Sequence, residues 1–243
     1  MNHGGKLARK LTAECVGTTF LLATVVGSGI MAETLSSGNV SLALLENTLA
    51  TGAALVALIL TFGPISGAHF NPAVTIAGAM QGGLSWKVVP GYVAAQCVGA
   101  LLGVYTAHLM FGQNLFQVSG RVRSGGSQLL SEFVATLGLL AVIWGCSRAR
   151  PAAVPFAVGA YITAAYWFTA STSFANPAVT FARSFSNTFA GIRPVDAPGF
   201  IGMQLLGASV ATGLFRWLSP TLPKASDEIL VPHPGERVDV SDS

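Results

Sequence analysis

Asn71-Pro72-Ala73-Val74-Thr75 recurs letter for letter as Asn176-Pro177-Ala178-Val179-Thr180, 105 positions further along the chain. Each copy is flanked by apolar sequence, so the identity marks an internal repeat. Asn is a good N-cap. Pro suits the first helical position, where its missing N–H would find no partner anyway. The motif therefore predicts two short helices, Pro72 to about Met80 and Pro177 to about Asn187. A helix start carries unpaired N–H donors and partial positive charge. Two such starts, each preceded by irregular backbone in a very apolar chain, predict half-helices that meet inside a membrane.

Composition agrees. Only 9% of the 243 residues are charged and 51% are hydrophobic, where about 25% charged is usual for soluble domains; mean hydropathy is +0.60. An ordinary soluble domain is excluded. The net charge of +3 is small and dispersed, which gives no footing for nucleic acid. The 28 glycines suit helices packed backbone to backbone. Cys15, Cys97 and Cys146 all lie in apolar runs, are odd in number and lack metal-ligand spacing. They read as buried free thiols. No cofactor is expected.

Lys6, Arg9 and Lys10 precede an apolar run, as in a signal peptide. Glu14 interrupts that run and no small-x-small cleavage site follows Met31, so a retained first transmembrane helix is expected. Apolar spans read as about 8–32, 41–62, 87–111, 128–147, 153–171 and 197–218, each long enough for a bilayer. The two half-helices fall after the second and fifth spans. Ser36-Ser37-Gly38-Asn39 reads as a turn and Gly112 to Ser127 as a polar loop. The segment from Pro220 reads as a mostly disordered tail, 220–243.

The repeat reaches beyond the five identical residues. Glu14 and Thr18 match Glu132 and Thr136, and Gln96 with Gly99-Ala100 matches Gln204 with Gly207-Ala208. The chain thus reads as one membrane domain over 1–243, with repeat one at about 8–112 and repeat two at about 128–218. Three spans per copy force the second copy to enter from the opposite face, an inverted repeat. Nine Lys and Arg fall on the N-terminal side (Lys6, Arg9, Lys10, Lys87, Arg148, Arg150, Arg216, Lys224, Arg237) and three opposite (Arg121, Arg123, Arg193). The positive-inside rule then places both termini in the cytoplasm of a plasma or inner membrane.

The paired Asn-Pro-Ala motifs, Ser66-Gly67-Ala68-His69-Phe70 before the first, and Ala13-Glu14 in the first span resemble the aquaporin (major intrinsic protein) family. The resemblance covers about residues 8–218. It implies an all-α membrane protein of six transmembrane helices plus two re-entrant half-helices in a right-handed bundle. It also implies a pore in each protomer, a homotetramer in the lipid bilayer, and small neutral solutes as passengers.

On this reading Asn71 and Asn176 donate N–H groups to solutes at the midplane, beside Pro72, Ala73, Pro177 and Ala178. Carbonyls of Gly67–Phe70 and Thr172–Ala175 supply acceptors along one wall. The facing helix dipoles repel cations. The bland reading, a cap and nothing more, fits one motif poorly once two stand at equivalent positions. Glu14 and Glu132 are intramembrane carboxylates without a neighbouring His or Asp to pass protons. They are expected to accept N–H bonds from the re-entrant loops, with Gln96 and Gln204 in similar service. His69, also grouped with loop support, reads equally as a packed imidazole or a gate near the cytoplasmic mouth.

Most of the family has Arg three residues after the second Asn; Val179 stands there in this chain. Thr51, 20 residues before Asn71, takes the place of an aromatic, and Ser173 lies three before Asn176. The fourth filter position is Ala164 when counted from Asn176, or Tyr166 when aligned from Gly159. The filter is expected to be wide and uncharged unless Trp167 or Phe174 fills it. Arg183, one turn beyond Val179, either lines the outer vestibule or is a surface residue pairing with Asp196 or lipid headgroups. The combination resembles the aquaglyceroporin-like channels of bacterial arsenic-resistance operons. That implies passive flux of water, glycerol-like polyols and trivalent arsenicals such as arsenite and its methylated forms. The alternative is a proton- or ion-coupled secondary transporter, which needs a charged coupling site on the path. A junctional protein has little loop surface to work with. An enzyme is not expected, since no nucleophile–base or metal-ligand cluster is present.

Overall fold

The computed structural model describes residues 3–218, with side chains from Gly5 onward. Those residues form eight α-helices: α1 (His3–Leu35), α2 (Val40–Ser66), α3 (Pro72–Met80), α4 (Val89–Met110), α5 (Gly126–Ala149), α6 (Val154–Phe168), α7 (Pro177–Arg183) and α8 (Ala197–Leu218). Six are the spans and α3 and α7 are the half-helices. The expected tail at 220–243, with Lys224 and Arg237, lies outside the described residues.

Local chemistry sets the ends. Asn39 caps α2 by accepting from the Leu42 N–H at 3.1 Å, and Gly67 closes it with φ 89°, a left-handed position that suits a residue without Cβ. The half-helices start where the motif places them. Asn71 Oδ1 accepts from Ala73 N–H at 2.9 Å, and Asn176 Oδ1 accepts from Ala178 and Val179 N–H at 3.0 and 3.2 Å. α7 stops at Arg183 rather than near Asn187. The Arg183 carbonyl accepts instead from Ser186 and Ile192 N–H, and Ser184 Oγ bonds back to the Thr180 carbonyl. Such local bonds compete with helix propagation.

The fifth span also differs from expectation. α6 has 15 residues, about 22 Å of helix against a hydrocarbon core of about 30 Å. The other five long helices are both long and apolar enough to cross. A 3₁₀ turn at Pro151–Ala153 precedes the helix, and a turn closed by the Thr172 N–H donating to the Thr169 carbonyl follows it. Thr169 ends the helix by returning its hydroxyl to the Ala165 carbonyl at 2.7 Å.

Packing obeys the repeat. α1 lies against α2 and α4, as α5 lies against α6 and α8; α2 meets α6 across the centre, and each half-helix touches the last helix of both copies. Two glycines make the tightest of these approaches possible. A Cβ on Gly99 of α4 would overlap the Cys15 carbonyl of α1, and one on Gly207 of α8 would overlap the Phe133 carbonyl of α5. Backbone contact replaces the hydrophobic drive that lipid cannot provide. The polarity of the bundle is correspondingly inverted. Glu14, Gln96, Glu132 and Gln204 are wholly buried, while Phe20, Leu49, Leu130, Phe156 and Leu206 face outward.

Candidate functional site

The two re-entrant loops have to be held against their own backbone preference. Ala68, Phe70, Ser173 and Ala175 sit at φ 48–50° and Thr172 at 61°, the left-handed region that costs non-glycine residues of order 1–3 kcal/mol each. The buried glutamates provide the hold. Glu14 accepts from Ser66 Oγ (2.6 Å), His69 N–H (3.0 Å), Phe70 N–H (2.7 Å) and Gln96 Nε2 (2.8 Å). Glu132 accepts from Phe174 and Ala175 N–H, both at 2.9 Å, and from Gln204 Nε2 at 2.6 Å. Each glutamine also donates to a half-helix threonine, Gln96 to Thr75 and Gln204 to Thr180. Loop, half-helix and two transmembrane helices are thereby tied at one carboxylate in each repeat.

With the loops set, the half-helices meet. Asn71 Nδ2 donates to the Ala175 carbonyl and Asn176 Nδ2 to the Phe70 carbonyl, both at 2.8 Å. Each asparagine therefore caps its own helix with its oxygen and staples the opposite loop with its nitrogen. A primary amide has two N–H bonds, so one remains on each residue. Both residues line a cavity of about 650 Å³, open ends included. Its wall repeats the twofold pattern: Leu21 and Val25 of α1 answer Leu139 and Ile143 of α5, and Leu55 and Ile59 of α2 answer Val158 and Ile162 of α6. One side is thus an apolar channel. The polar groups come from the loops and half-helix starts, joined by Thr51 of α2, Tyr166 of α6 and Arg183 at the end of α7.

Thr51, Tyr166, Ser173 and Val179 all lie on this cavity, and the Tyr166 hydroxyl donates to Thr51 Oγ1 at 3.3 Å. Ala164 is exposed on the outside of α6, as is Trp167, whereas Phe174 lies on the cavity wall. His69 is on the wall as well, its Nδ1 3.1 Å from Thr75 Oγ1 and its ring 5.3 Å from that of Tyr92. Phe174 occupies the equivalent place in the second repeat and packs on Phe200, likewise at 5.3 Å. Glu14 and Glu132 do not line the cavity.

At one end of the cavity the structure decides between the two readings of Arg183. Arg183 is not a surface residue: it is 2% exposed and lines the cavity, and Asp196 pairs instead with Arg193. Bonds from Arg193 hold the Asp196 carboxyl below its usual range. Thr51, Tyr166, Ser173 and Val179 carry no charge, and the cation stands one turn beyond Val179, with the Arg183 guanidinium 3.4 Å from the centroid of the Phe174 ring. Its Nε donates to the Ala190 carbonyl.

Arg123 carried no signal in the sequence beyond its charge. From the α4–α5 loop it donates to the carbonyls of Gly191 and Ser171, at 2.8 and 3.1 Å, and its guanidinium lies 4.9 Å from the Phe174 ring centroid. Its backbone N–H donates to Asp196. Burial and the neighbouring Arg121 charge lower its pKa to about 10, so it remains a cation at neutral pH. Arg121 in turn bridges Glu33 at 2.8 Å. Aligning the two repeats at His69 and Phe174 would have marked this end of the pore, but no local pattern points to Arg123.

Six spans around two stapled half-helices, with one apolar-walled passage between them, define a transmembrane channel of the aquaporin type. The chain matches the Major intrinsic protein family over residues 3–164. It is 56% identical over 212 residues to Aquaglyceroporin AqpS of Rhizobium meliloti (strain 1021), a match covering 87% of this chain and 91% of that protein. Aquaporin NIP1-1 of Oryza sativa subsp. japonica is 36% identical over 159 residues, covering 63% of this chain and 55% of the rice protein. The X-ray structure of the aquaglyceroporin from Plasmodium falciparum superposes with TM-score 0.62 at 21% identity, over 89% of this chain and 96% of that one. The protein belongs to the major intrinsic protein family, whose members are channels passing small neutral solutes through membranes.

Proposed function

We propose that this chain is a passive channel for water, glycerol-like polyols and trivalent arsenic hydroxides, with Thr51, Tyr166, Ser173 and Val179 as its filter. The observation that carries the reading is Val179 on the cavity wall where the family usually has Arg, with the cation displaced one turn to Arg183. A short β-branched side chain leaves room for solutes wider than water. Asn71, Asn176 and the loop carbonyls give a polyhydroxy solute donors and acceptors on one side, and the aliphatic wall takes its carbon face. The relative named as an aquaglyceroporin supports this class. Proteoliposome swelling with water, glycerol, urea and arsenite tests it: glycerol and arsenite should pass alongside water. A channel that passes water alone defeats the reading. Coupled transport finds no support on the wall, since both intramembrane carboxylates are committed to loop N–H groups.

The protein is further proposed to be a homotetramer of an inner or plasma membrane, with both termini cytoplasmic. The motivation for the orientation is the distribution of Lys and Arg. In Ser124→Cys, an impermeant maleimide should label intact cells; protection at that cysteine reverses the topology. Arg183 serves here to keep cations out, since a fixed positive charge in a poorly hydrated passage opposes them. Arg183→Ala should raise cation conductance of reconstituted protein by about tenfold, and an unchanged leak removes this role.

A further inference from the structure

We propose that Arg183 and Ser173 form a binding subsite for small oxyanions at the outer end of the passage, and that its occupation blocks the flux of neutral solutes. The proposal rests on the reading of the cavity as the pore. Arg183 is 2% exposed, yet among the described residues no carboxylate lies within ion-pair distance of it. The nearby acids are already committed: Glu132 to two loop N–H groups and Gln204, Asp196 to Arg193 and the Arg123 N–H. Only Nε of the guanidinium is satisfied, by the Ala190 carbonyl, and Nη1 and Nη2 make no hydrogen bond to described residues. Arg123 brings a second cation to the same Phe174 ring. A buried cation without a counter-charge is costly, and two adjacent guanidinium nitrogens match two oxygens of an oxyanion.

Ser173 is the second observation. It is 2% exposed and lines the same cavity, but its Oγ has no hydrogen-bond partner. Native buried hydroxyls are nearly always satisfied. Rotation about one bond brings this donor to a ligand held beside Phe174. Beyond this point the passage is walled by aliphatic side chains such as Leu21, Leu139 and Ile143. An anion that has given up water to reach the arginine meets only the Thr51–Tyr166 hydroxyl pair, and no further arginine or lysine on the wall, before the asparagines, so it stays and obstructs.

Sulfate is the probe, with chloride at matched ionic strength as reference. Glycerol flux into proteoliposomes and the sulfate-dependent shift in thermal unfolding of the detergent-solubilised protein are both measured. In the wild type, sulfate should slow glycerol flux and raise the unfolding temperature. In Arg183→Gln the sulfate affinity should fall by roughly tenfold or more, and in Ser173→Ala by a smaller factor. Each protein is compared with itself in chloride, so a change in its own flux does not confuse the result. If Arg183→Gln fails to fold, Arg183→Lys retains the charge without the two-pronged donor and should bind sulfate several-fold more weakly. Wild-type glycerol flux indifferent to sulfate overturns the proposal, as does equal block in wild type and Arg183→Gln. Sulfate binding that depends on Arg183, in a protein that conducts no glycerol, upholds the subsite and defeats the pore reading instead.

Discussion

Val179→Arg is expected to lower the glycerol-to-water permeability ratio by about tenfold, a barrier difference of about 1.4 kcal/mol, and to reduce arsenite flux with it. Val179 lines the cavity with Thr51 and Tyr166, and its own N–H is already used by the Asn176 cap. The long planar guanidinium would enter the passage at the level of the filter, one helical turn inside Arg183. Size acts first on glycerol, because water needs only a single file. Charge acts on folding, because the new cation would stand near Arg183 and Arg123 without a carboxylate. Expression and assembly must therefore be followed together with flux. Val179→Leu separates the two effects by adding volume without charge, and should shift the ratio in the same direction by less. A well-folded Val179→Arg protein with the wild-type ratio would mean that the constriction lies elsewhere, and the substrate reading would lose its main support.

Glu132→Gln should reduce the amount of folded protein far more than the flux per folded molecule. The carboxylate presents one oxygen to Phe174 N–H and the other to Ala175 N–H and Gln204 Nε2. An amide has only one acceptor oxygen. The better placement keeps that oxygen on the doubly bonded side and turns the amide nitrogen toward Phe174 N–H, donor against donor. One buried N–H is then unsatisfied, at about 1–3 kcal/mol. The loss falls on a loop already holding Thr172, Ser173 and Ala175 at positive φ. Thermal unfolding in detergent and glycerol flux normalised to folded protein check the expectation. If the variant folds as well as wild type but loses a pH-dependent flux, the carboxylate moves protons and a coupled transporter becomes the better account.

Much of this molecule was legible in its amino-acid sequence. The duplicated Asn-Pro-Ala segment located both half-helix starts, because an N-cap followed by proline is a local instruction that needs no partner. The spans, their inverted duplication and the membrane setting followed from hydropathy and from an odd number of crossings. The pairing of Glu14 and Glu132 with the loops was also within reach, since a buried carboxylate must find donors and the adjacent irregular backbone has donors to spare. The length of α6 and the end of α7 were not, because the Ser and Thr residues that follow both helices carry no proline or glycine stop, and it is side-chain bonds from Thr169 and Ser184 that accompany the two ends.

What lay beyond the sequence was every question of which side chains share a space. Counting along the chain left Ala164 and Tyr166 equivalent, and only the rotation of α6 against α2 turns Tyr166 to Thr51 and Ala164 to the outside. Arg183 read equally as a vestibule residue or a surface one. Its burial over Phe174 depends on the early stop of α7 and on the Ala190 carbonyl, seven residues later. Arg123 is set by contacts 48 to 73 residues away, including Ser171, Gly191 and Asp196. Local sequence specifies caps, spans and repeats because those are satisfied within a few residues. The character of the Arg183 end of the passage is a sum of long-range contacts, and it comes into being only when the two repeats close on each other.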